Sequence, residues 1–595
     1  MNHTFHIPVM GTGFSIDTPA KVAHYGISSV IPLADDILIE KMREYYSSKL
    51  DIPFEEISDK LDDFRAKRIT AYLNLIDKVV KEKFEALKQE ALDKGSEFKK
   101  YLEMLPDYSW IKLEYYRLIN NADVEELKRW ISTYLVPGSV DVNIMTKLDK
   151  TNYNGQKDAL PYQYNDAHAA LRGYATSNLE SSIVFSAGMN PRLFGYMENF
   201  QVFYPDKQGN FKKKIVLKVS DYRSALIQGK FLAKKGLWVS EYRIESGLNC
   251  GGHAFATEGH LLGPVLEEFK ANKNTLIDTT FELLKAALEE KGLPCPPQLP
   301  LYITAQGGVG TTDEHNLLLD HFEMDSVGWG TPFLLVPEAI NVDHKTQGLL
   351  KKAKEQDQYL SNTSPLGIPF NTLRGNTQDL EKERLQDKGR PGSACPKKFL
   401  ISNSEYTTKP ICTASREYQH AKLKELAVQD LSREELEKQQ HKIVEKSCIC
   451  MGLANGVLQI HHLQSKKYGS GVSICPGPNI AYFDKTVSLQ TMVDHIYGRT
   501  NVMERSDRPN MFIKEFKLYL DYYLNKLTEA TTPISIKQQK YFNSFRENLQ
   551  TGLQYYKDLF SKMDEDWKTN ALKELRQLEN QLNQLISHNS YLVPH

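Results

Sequence analysis

Over residues 1–335, short apolar runs rich in β-branched residues alternate with stretches whose apolar positions recur every three or four residues. The runs bounded by Gly, Pro or Asn predict eight strands: Ile7–Gly13, Gly26–Leu33, Val140–Met145, Ser182–Ala187, Lys214–Val219, Leu237–Glu245, Leu301–Gln306 and Ser326–Leu334. Most are near-continuously apolar, as expected of parallel strands covered on both faces. Helical stretches such as Ala225–Lys235 and Asn274–Lys291 lie between them. Eight strand–helix units predict an α/β fold, a (β/α)8 barrel over residues 1–339, with ligands at the C-terminal ends of the strands. An open doubly wound sheet is the alternative, and the count of eight favours closure.

Residues 34–139 break the rhythm, with almost no β signal. Ile69, Leu73, Ile76, Val80, Phe84 and Leu87 mark one apolar stripe on a long helix, and the segment reads as a helical insertion capping the barrel. Residues 340–404 are rich in Pro, Gly, Asn and charge with little periodicity, the pattern of an extended connecting segment. Residues 405–595 read as a mainly helical C-terminal domain. There Leu572, Leu575, Leu578, Leu582 and Leu585 form a second stripe, better explained by packing within the chain than by a coiled coil.

Composition narrows the class. At 595 residues the chain is long enough for about two to four domains. Lys plus Arg (74) nearly cancels Asp plus Glu (75), so no global field draws the chain to nucleic acid or to an anionic membrane. No apolar run approaches the roughly 18–20 residues that span a bilayer, and the N-terminus shows no signal peptide. Seven cysteines, an odd count clustered late, argue against a disulfide framework. The expectation is a cytoplasmic protein with free thiols.

Two motifs carry chemistry by position. Gln306-Gly307-Gly308-Val309-Gly310-Thr311 ends one predicted strand, and Gly328-Trp329-Gly330-Thr331-Pro332-Phe333 ends the next. Glycines at strand ends let backbone N–H groups approach an anion, and Thr331 adds a hydroxyl donor. Two such loops in successive late units form the usual phosphate cradle of a barrel. Asn249-Cys250-Gly251-Gly252-His253-Ala254 follows the sixth predicted strand and would aim His253 into the mouth, where an imidazole can move a proton near neutral pH. A histidine hydrogen-bonded in the loop wall explains that position equally well.

These pieces, with Ile7-Pro8-Val9-Met10-Gly11 at the start and Val142-Asn143, occur in the order seen in nitronate monooxygenases. The chain therefore resembles the superfamily of FMN-dependent barrels that also holds the flavin enoyl reductases, over residues 5–340 without the insertion. Ser364-Pro365-Leu366-Gly367-Ile368-Pro369 and Leu373-Arg374-Gly375-Asn376 resemble the segment after the barrel in nitronate monooxygenases. Cys475-Pro476-Gly477-Pro478-Asn479-Ile480-Ala481-Tyr482-Phe483 is more loosely similar to a late segment of synthase-associated enoyl reductases.

The resemblance implies FMN, with Met10, Gly11 and Thr12 near its ring and Asn143 and Lys218 hydrogen-bonding it. Gly307, Gly308, Gly310, Gly330 and Thr331 would hold its phosphate, and His253 would be the active-site acid/base. It implies an oxidoreductase acting on a small-molecule or acyl-type substrate, by oxygen-using nitronate oxidation or by reduction of an activated double bond with NAD(P)H or an electron carrier. Cys250 stands where the family more often has a small residue, and the insertion and long C-terminal half are atypical. Both features put the substrate in doubt. A flavin-dependent RNA-modifying enzyme or a non-catalytic flavin scaffold is the reading from another class. Neutral charge argues against the first, and the intact Gly251-Gly252-His253 against the second. Homo-oligomerisation is left open.

Cys395, Cys412, Cys448 and Cys450 cluster late, with Cys475 in reserve. Four thiolates would complete a 4Fe–4S cluster or a zinc site, and four unrelated buried thiols are the plain alternative. Cys250 and Cys295 read as structural, and His461-His462 as packing.

Overall fold

Eight parallel strands close into a barrel in sequence order, with the eighth hydrogen-bonded back to the first. They are β1 (Phe5–Ile7), β2 (Ser28–Pro32), β3 (Val140–Met145), β4 (Ser181–Ser186), β5 (Lys213–Val219), β6 (Val239–Glu245), β7 (Tyr302–Gln306) and β8 (Ser326–Gly328). The structure is a computed structural model that describes residues 2–588 except 94, 122–123, 157, 187, 252–257, 466–468, 531–533 and 564.

The expected strands are present, six of them with limits within two residues of the prediction, and two end about six residues early. β1 ends at Ile7 because Pro8 has no N–H to give the ladder; the residues beyond it form a loop in which Met10 N donates to Ser15 Oγ at 2.9 Å. β8 stops at Gly328, and Pro332 then starts a short 3₁₀ turn over Thr331–Leu335.

The near-continuous apolar runs conceal an alternation of facing. Val30, Val184 and Val216 form a separate cluster with Val9, while Ile31, Val142, Ile183 and Leu217 belong to the large surrounding core. Side chains two residues apart share a face of a strand, so the valines fill the barrel interior and the second set meets the helices. β6 places charge inside instead. Arg243 Nε and Glu241 Oε1 are 2.8 Å apart with little exposure, while Tyr242 and Ile244 face the core. A buried guanidinium needs such a partner.

The insertion between β2 and β3 folds as helices Asp36–Lys49, Phe64–Asp93, Ser96–Met104, Trp110–Asn121 and Val124–Tyr134. The predicted stripe from Ile69 to Leu87 is buried along Phe64–Asp93. That helix lies on the barrel's flank, not over its mouth. It packs against helix Asp166–Ala175, where a Cβ on Gly173 would meet Ala66 O at 2.7 Å and Thr70 Oγ1 donates to Gly173 O at 2.9 Å. The stripe needs a flat helical partner, and small Gly173 supplies the close approach.

Residues 340–404 are more structured than their composition suggests, with helices His344–Leu350 and Thr377–Asp387 flanking an antiparallel hairpin, β9 (Gln358–Ser361) and β10 (Phe370–Leu373). Beyond them lie helices Arg416–Leu426, Arg433–Val444, Ile449–Ile460, Leu489–Ile496, Met511–Glu529, Ile536–Ser561 and Glu565–His588. Leu575, Leu578 and Leu582 are buried, with Leu572 and Leu585 packed against the same core. That core runs unbroken from the strands through the insertion to Ile449–Ile460, Leu489–Ile496 and the last three helices. Among the described residues no single helix is long and apolar enough to cross a membrane.

Candidate active site

A cavity opens at the C-terminal ends of the strands. Its floor and walls come from Gly11 and Thr12 after β1, Pro32 and Asp35 at the end of β2, Asn143 and Met145 of β3, Ser186 of β4, Lys218 of β5 and Glu245 of β6. Leu366, Phe399, Leu400, Ile449, Cys450 and Leu453 roof it. Polar groups thus lie on the barrel side and apolar groups opposite, the usual composition of a small-molecule site. Gly11 is one place where glycine is required: its φ is +138°, and a Cβ there would meet Phe14 Cδ2 at 2.8 Å.

Four of the five residues expected beside a flavin ring, Gly11, Thr12, Asn143 and Lys218, line this one cavity. Met10, the fifth, is buried and does not line it. Asn143 Nδ2 donates to Val184 O at 3.1 Å, and its Oδ1 accepts from Ser186 Oγ at 3.4 Å, so the amide is held edge-on between strands. Lys218 Nζ stands 2.6 Å from Glu245 Oε1. Glu245 also accepts from Asn249 Nδ2 at 2.5 Å and Gln306 Nε2 at 2.8 Å. Reading the motifs missed Glu245 and Asp35. The charges at every second position of Glu241, Arg243 and Glu245 were the signal for the first. Asp35 pairs with Lys397, and that ammonium also donates to Cys450 O at 3.4 Å, which ties the roof to the barrel.

The phosphate loops have a different environment. Gly307, Gly308, Gly310, Gly330 and Thr331 do come together at the ends of β7 and β8, but none lines the cavity. Gly310 N donates to Glu314 Oε2 at 2.9 Å, and Arg508 makes a two-pronged contact with Glu314 at 2.7 and 2.9 Å. The anion at this helix N-terminus is therefore the chain's own carboxylate. Thr311 Oγ1 accepts from Glu314 N at 3.2 Å, so Thr311 and Glu314 close the helix start, a Thr-x-x-Glu pattern legible in the sequence. Asn479 Nδ2 donates to Gly308 O and Val309 O, and Thr331 Oγ1 donates to Pro476 O at 2.6 Å. A Cβ on Gly477 would lie 2.7 Å from Thr331 Oγ1. The residues expected beside a ring thus line one cavity, whereas a phosphate at these loops would have to displace the 475–479 segment and Glu314.

The proposed acid/base His253, with Gly252, lies outside the described residues. The chain on either side is held by Glu515 of helix Met511–Glu529. Its carboxylate accepts from Ser246 Oγ at 2.6 Å and from Leu262 N at 2.7 Å. Burial raises this carboxyl to about 7. Cys250 Sγ donates to Cys475 O at 3.4 Å, and burial drives its thiol well above the usual range.

The four candidate metal thiols share one neighbourhood. Cys412 belongs to a small cluster with Leu400, Ala414 and Ile449, against which Cys395 and Cys450 pack, and Cys448 precedes helix Ile449–Ile460. Cys395 and Cys412 hydrogen-bond to each other, whereas Cys450 lines the barrel-mouth cavity. Among the described residues no three His, Cys, Asp or Glu side chains are placed to hold a metal ion.

No protein-family description matches the chain, and no curated protein matches it in sequence. Among solved structures, the chain is similar to the enoyl reductase domain of MlnA from the macrolactin biosynthesis cluster of Bacillus amyloliquefaciens, at 14% identity over 68% of this chain and 88% of that one, with a TM-score of 0.32. A likeness at that level says nothing about activity.

Proposed function

We propose that the chain is an oxidoreductase acting at carbon, of the nitronate monooxygenase and enoyl reductase kind, with the barrel-mouth cavity as its active site and FMN as its cofactor. The observation that carries this reading is the convergence of Gly11, Thr12, Asn143 and Lys218 on one cavity. These are the positions at which the sequence resembles the ring-binding residues of that superfamily. Bound FMN would supply reversible two-electron chemistry.

The chain's own groups have definable parts. Lys218, fixed by Glu245, puts an ammonium at the cavity floor, where it favours negative charge on a bound ring or substrate. Asn143 orients whatever it touches, because both ends of its amide are already fixed by the strands. The roof from Leu366 to Leu453 excludes water and suits an acyl or alkyl chain. His253 is proposed as the group that gives or takes the proton, and NAD(P)H or an electron carrier as the reductant.

The test is to heat-denature the purified protein and measure released FMN, then to mix the protein with NADPH without oxygen. Retained FMN is expected. Rapid bleaching assigns the reductase branch, and slow bleaching with nitronate turnover in air assigns the oxidase branch. His253→Ala should keep the flavin and lose on the order of 10²–10⁴ in rate. Protein that neither releases FMN nor binds it when supplied overturns the reading.

A further inference from the structure

A second constellation lies on the outer side of the cavity roof. Ser393 N donates to Ala414 O at 3.0 Å and Arg416 N to Ser393 O at 2.9 Å, while Asn403 and Ile411 exchange both backbone hydrogen bonds at 3.0 and 2.7 Å. These pairings bracket Cys395 and Cys412 and hold them side by side. Both are free thiols, and both line one solvent-open cleft. Cys395 and Lys398 have φ of 53° and 56°, a left-handed conformation that non-glycine residues adopt at a cost and that clusters at functional sites.

The cleft is also charged. Lys150, Arg390, Lys398, Lys409 and Arg416 line it against a single acid, Glu417. Arg416 lines the same cleft; its Nε is buried without a hydrogen-bond partner and its Nη2 donates to Gly392 O at 3.5 Å, so among the described residues the guanidinium is not neutralised by a carboxylate there. We propose that Cys395 and Cys412 are a redox-active dithiol that exchanges with small anionic disulfides, of the glutathione type, drawn into this basic cleft. The inference stands apart from the oxidoreductase reading and needs no flavin.

The step balances as thiol–disulfide exchange. Cys395, the more exposed of the two, attacks one sulfur of the disulfide as thiolate, and the other sulfur leaves as a thiolate. Cys412 then attacks the Cys395 sulfur of the mixed disulfide, losing its proton to solvent, and the second small thiolate leaves. Two protein thiols are oxidised by two electrons, and one disulfide is reduced to two thiols. The hydrogen bond from Cys412 favours the thiolate on Cys395 over that on Cys412, which suits Cys395 as the attacking sulfur.

The test uses the reduced full-length chain, analysed for metal and then treated with oxidised glutathione. The expected product is lighter by about two mass units, with a peptide bridged from Cys395 to Cys412. Cys412→Ser should instead accumulate one glutathionyl group on Cys395, and Cys395→Ser should give neither product. Because a basic site raises local anion concentration by about tenfold or more, Arg390→Gln/Arg416→Gln should slow glutathione disulfide by about that factor while leaving neutral hydroxyethyl disulfide unchanged. Reaction of Cys395→Ser at the wild-type rate, or no bridge in the folded wild type, overturns the proposal. So does iron or zinc in the wild type that Cys395→Ser removes, which would assign these thiols to a metal.

Discussion

Lys218 Nζ and Glu245 Oε1 meet at 2.6 Å across neighbouring barrel strands, with both side chains 6% exposed. In register Lys218 lies opposite Arg243, so its side chain reaches diagonally towards the mouth to find a carboxylate. Glu245 is held from two further sides by Asn249 and Gln306. The pair thereby sets a fixed dipole at the floor of the cavity, with its donors and acceptors oriented before any ligand arrives.

Removing one partner should cost more than removing both. Lys218→Met leaves a buried carboxylate with only neutral donors, and a destabilisation of about 3 kcal/mol is expected. Lys218→Met/Glu245→Gln should recover most of it, because no uncompensated charge remains. Urea denaturation of the two variants beside the wild type measures this. Equal stability of Lys218→Met and wild type would mean that the pair does not set the charge at the mouth.

Gly477 is the wedge between the segment after Cys475 and the end of β8. Its φ is +74°, and an added Cβ would lie 2.7 Å from Thr331 Oγ1 and 3.1 Å from Leu248 O. Gly477→Ala should therefore lower stability by about 1–3 kcal/mol, through backbone strain and displacement of Thr331 from Pro476 O. Gly375→Ala is the comparison, since it shares positive φ but only a 3.6 Å contact with Leu349 Cδ1. A loss at Gly477 no larger than at Gly375 would show that strain alone acts, without the steric contact.

The barrel was legible because β-branched runs such as Lys213–Val219 admit little but buried parallel strands. Asn143 and Lys218 were reached only through family resemblance, and the structure brings them to one cavity. Glu245 ends the expected strand Leu237–Glu245, where Glu241, Arg243 and Glu245 alternate with Tyr242 and Ile244, a period of two that a search for apolar runs passes over. The glycine loops show a different limit. Gly307-Gly308 reads as a cradle for an anion, and the nearby Thr311-x-x-Glu314 was the local sign that the helix start supplies its own. That Asn479 and Pro476 would close over these loops depends on contacts more than a hundred residues apart in the chain, which no local pattern encodes. The cysteines are intermediate: their grouping was visible in the sequence, but the Cys395–Cys412 pairing depends on how Ser393 and Asn403 meet the 411–416 segment.

Glu515 gives a prediction in pH. Its partners are the hydroxyls of Ser246 and Tyr556 and the amide of Leu262, all neutral donors. Burial outweighs them and raises the folded-state value to about 7, from an ordinary 4.5. The native chain therefore keeps a proton that the unfolded chain has released. This contribution to stability is fully present below about pH 4.5 and is lost as pH rises through about 7. The expected loss is on the order of 3 kcal/mol across that window. Glu515→Gln cannot ionise, so its stability should match the wild type near pH 5 and exceed it above pH 7. Urea midpoints for both proteins at half-unit steps from pH 5 to 8 test the sign. Because Glu515 grips both Ser246 and Leu262, amide exchange at Leu262 should also quicken with pH, beyond the intrinsic trend, in the wild type alone. A difference between the two proteins that stays constant across the range would show that another group titrates and that Glu515 is ionised throughout.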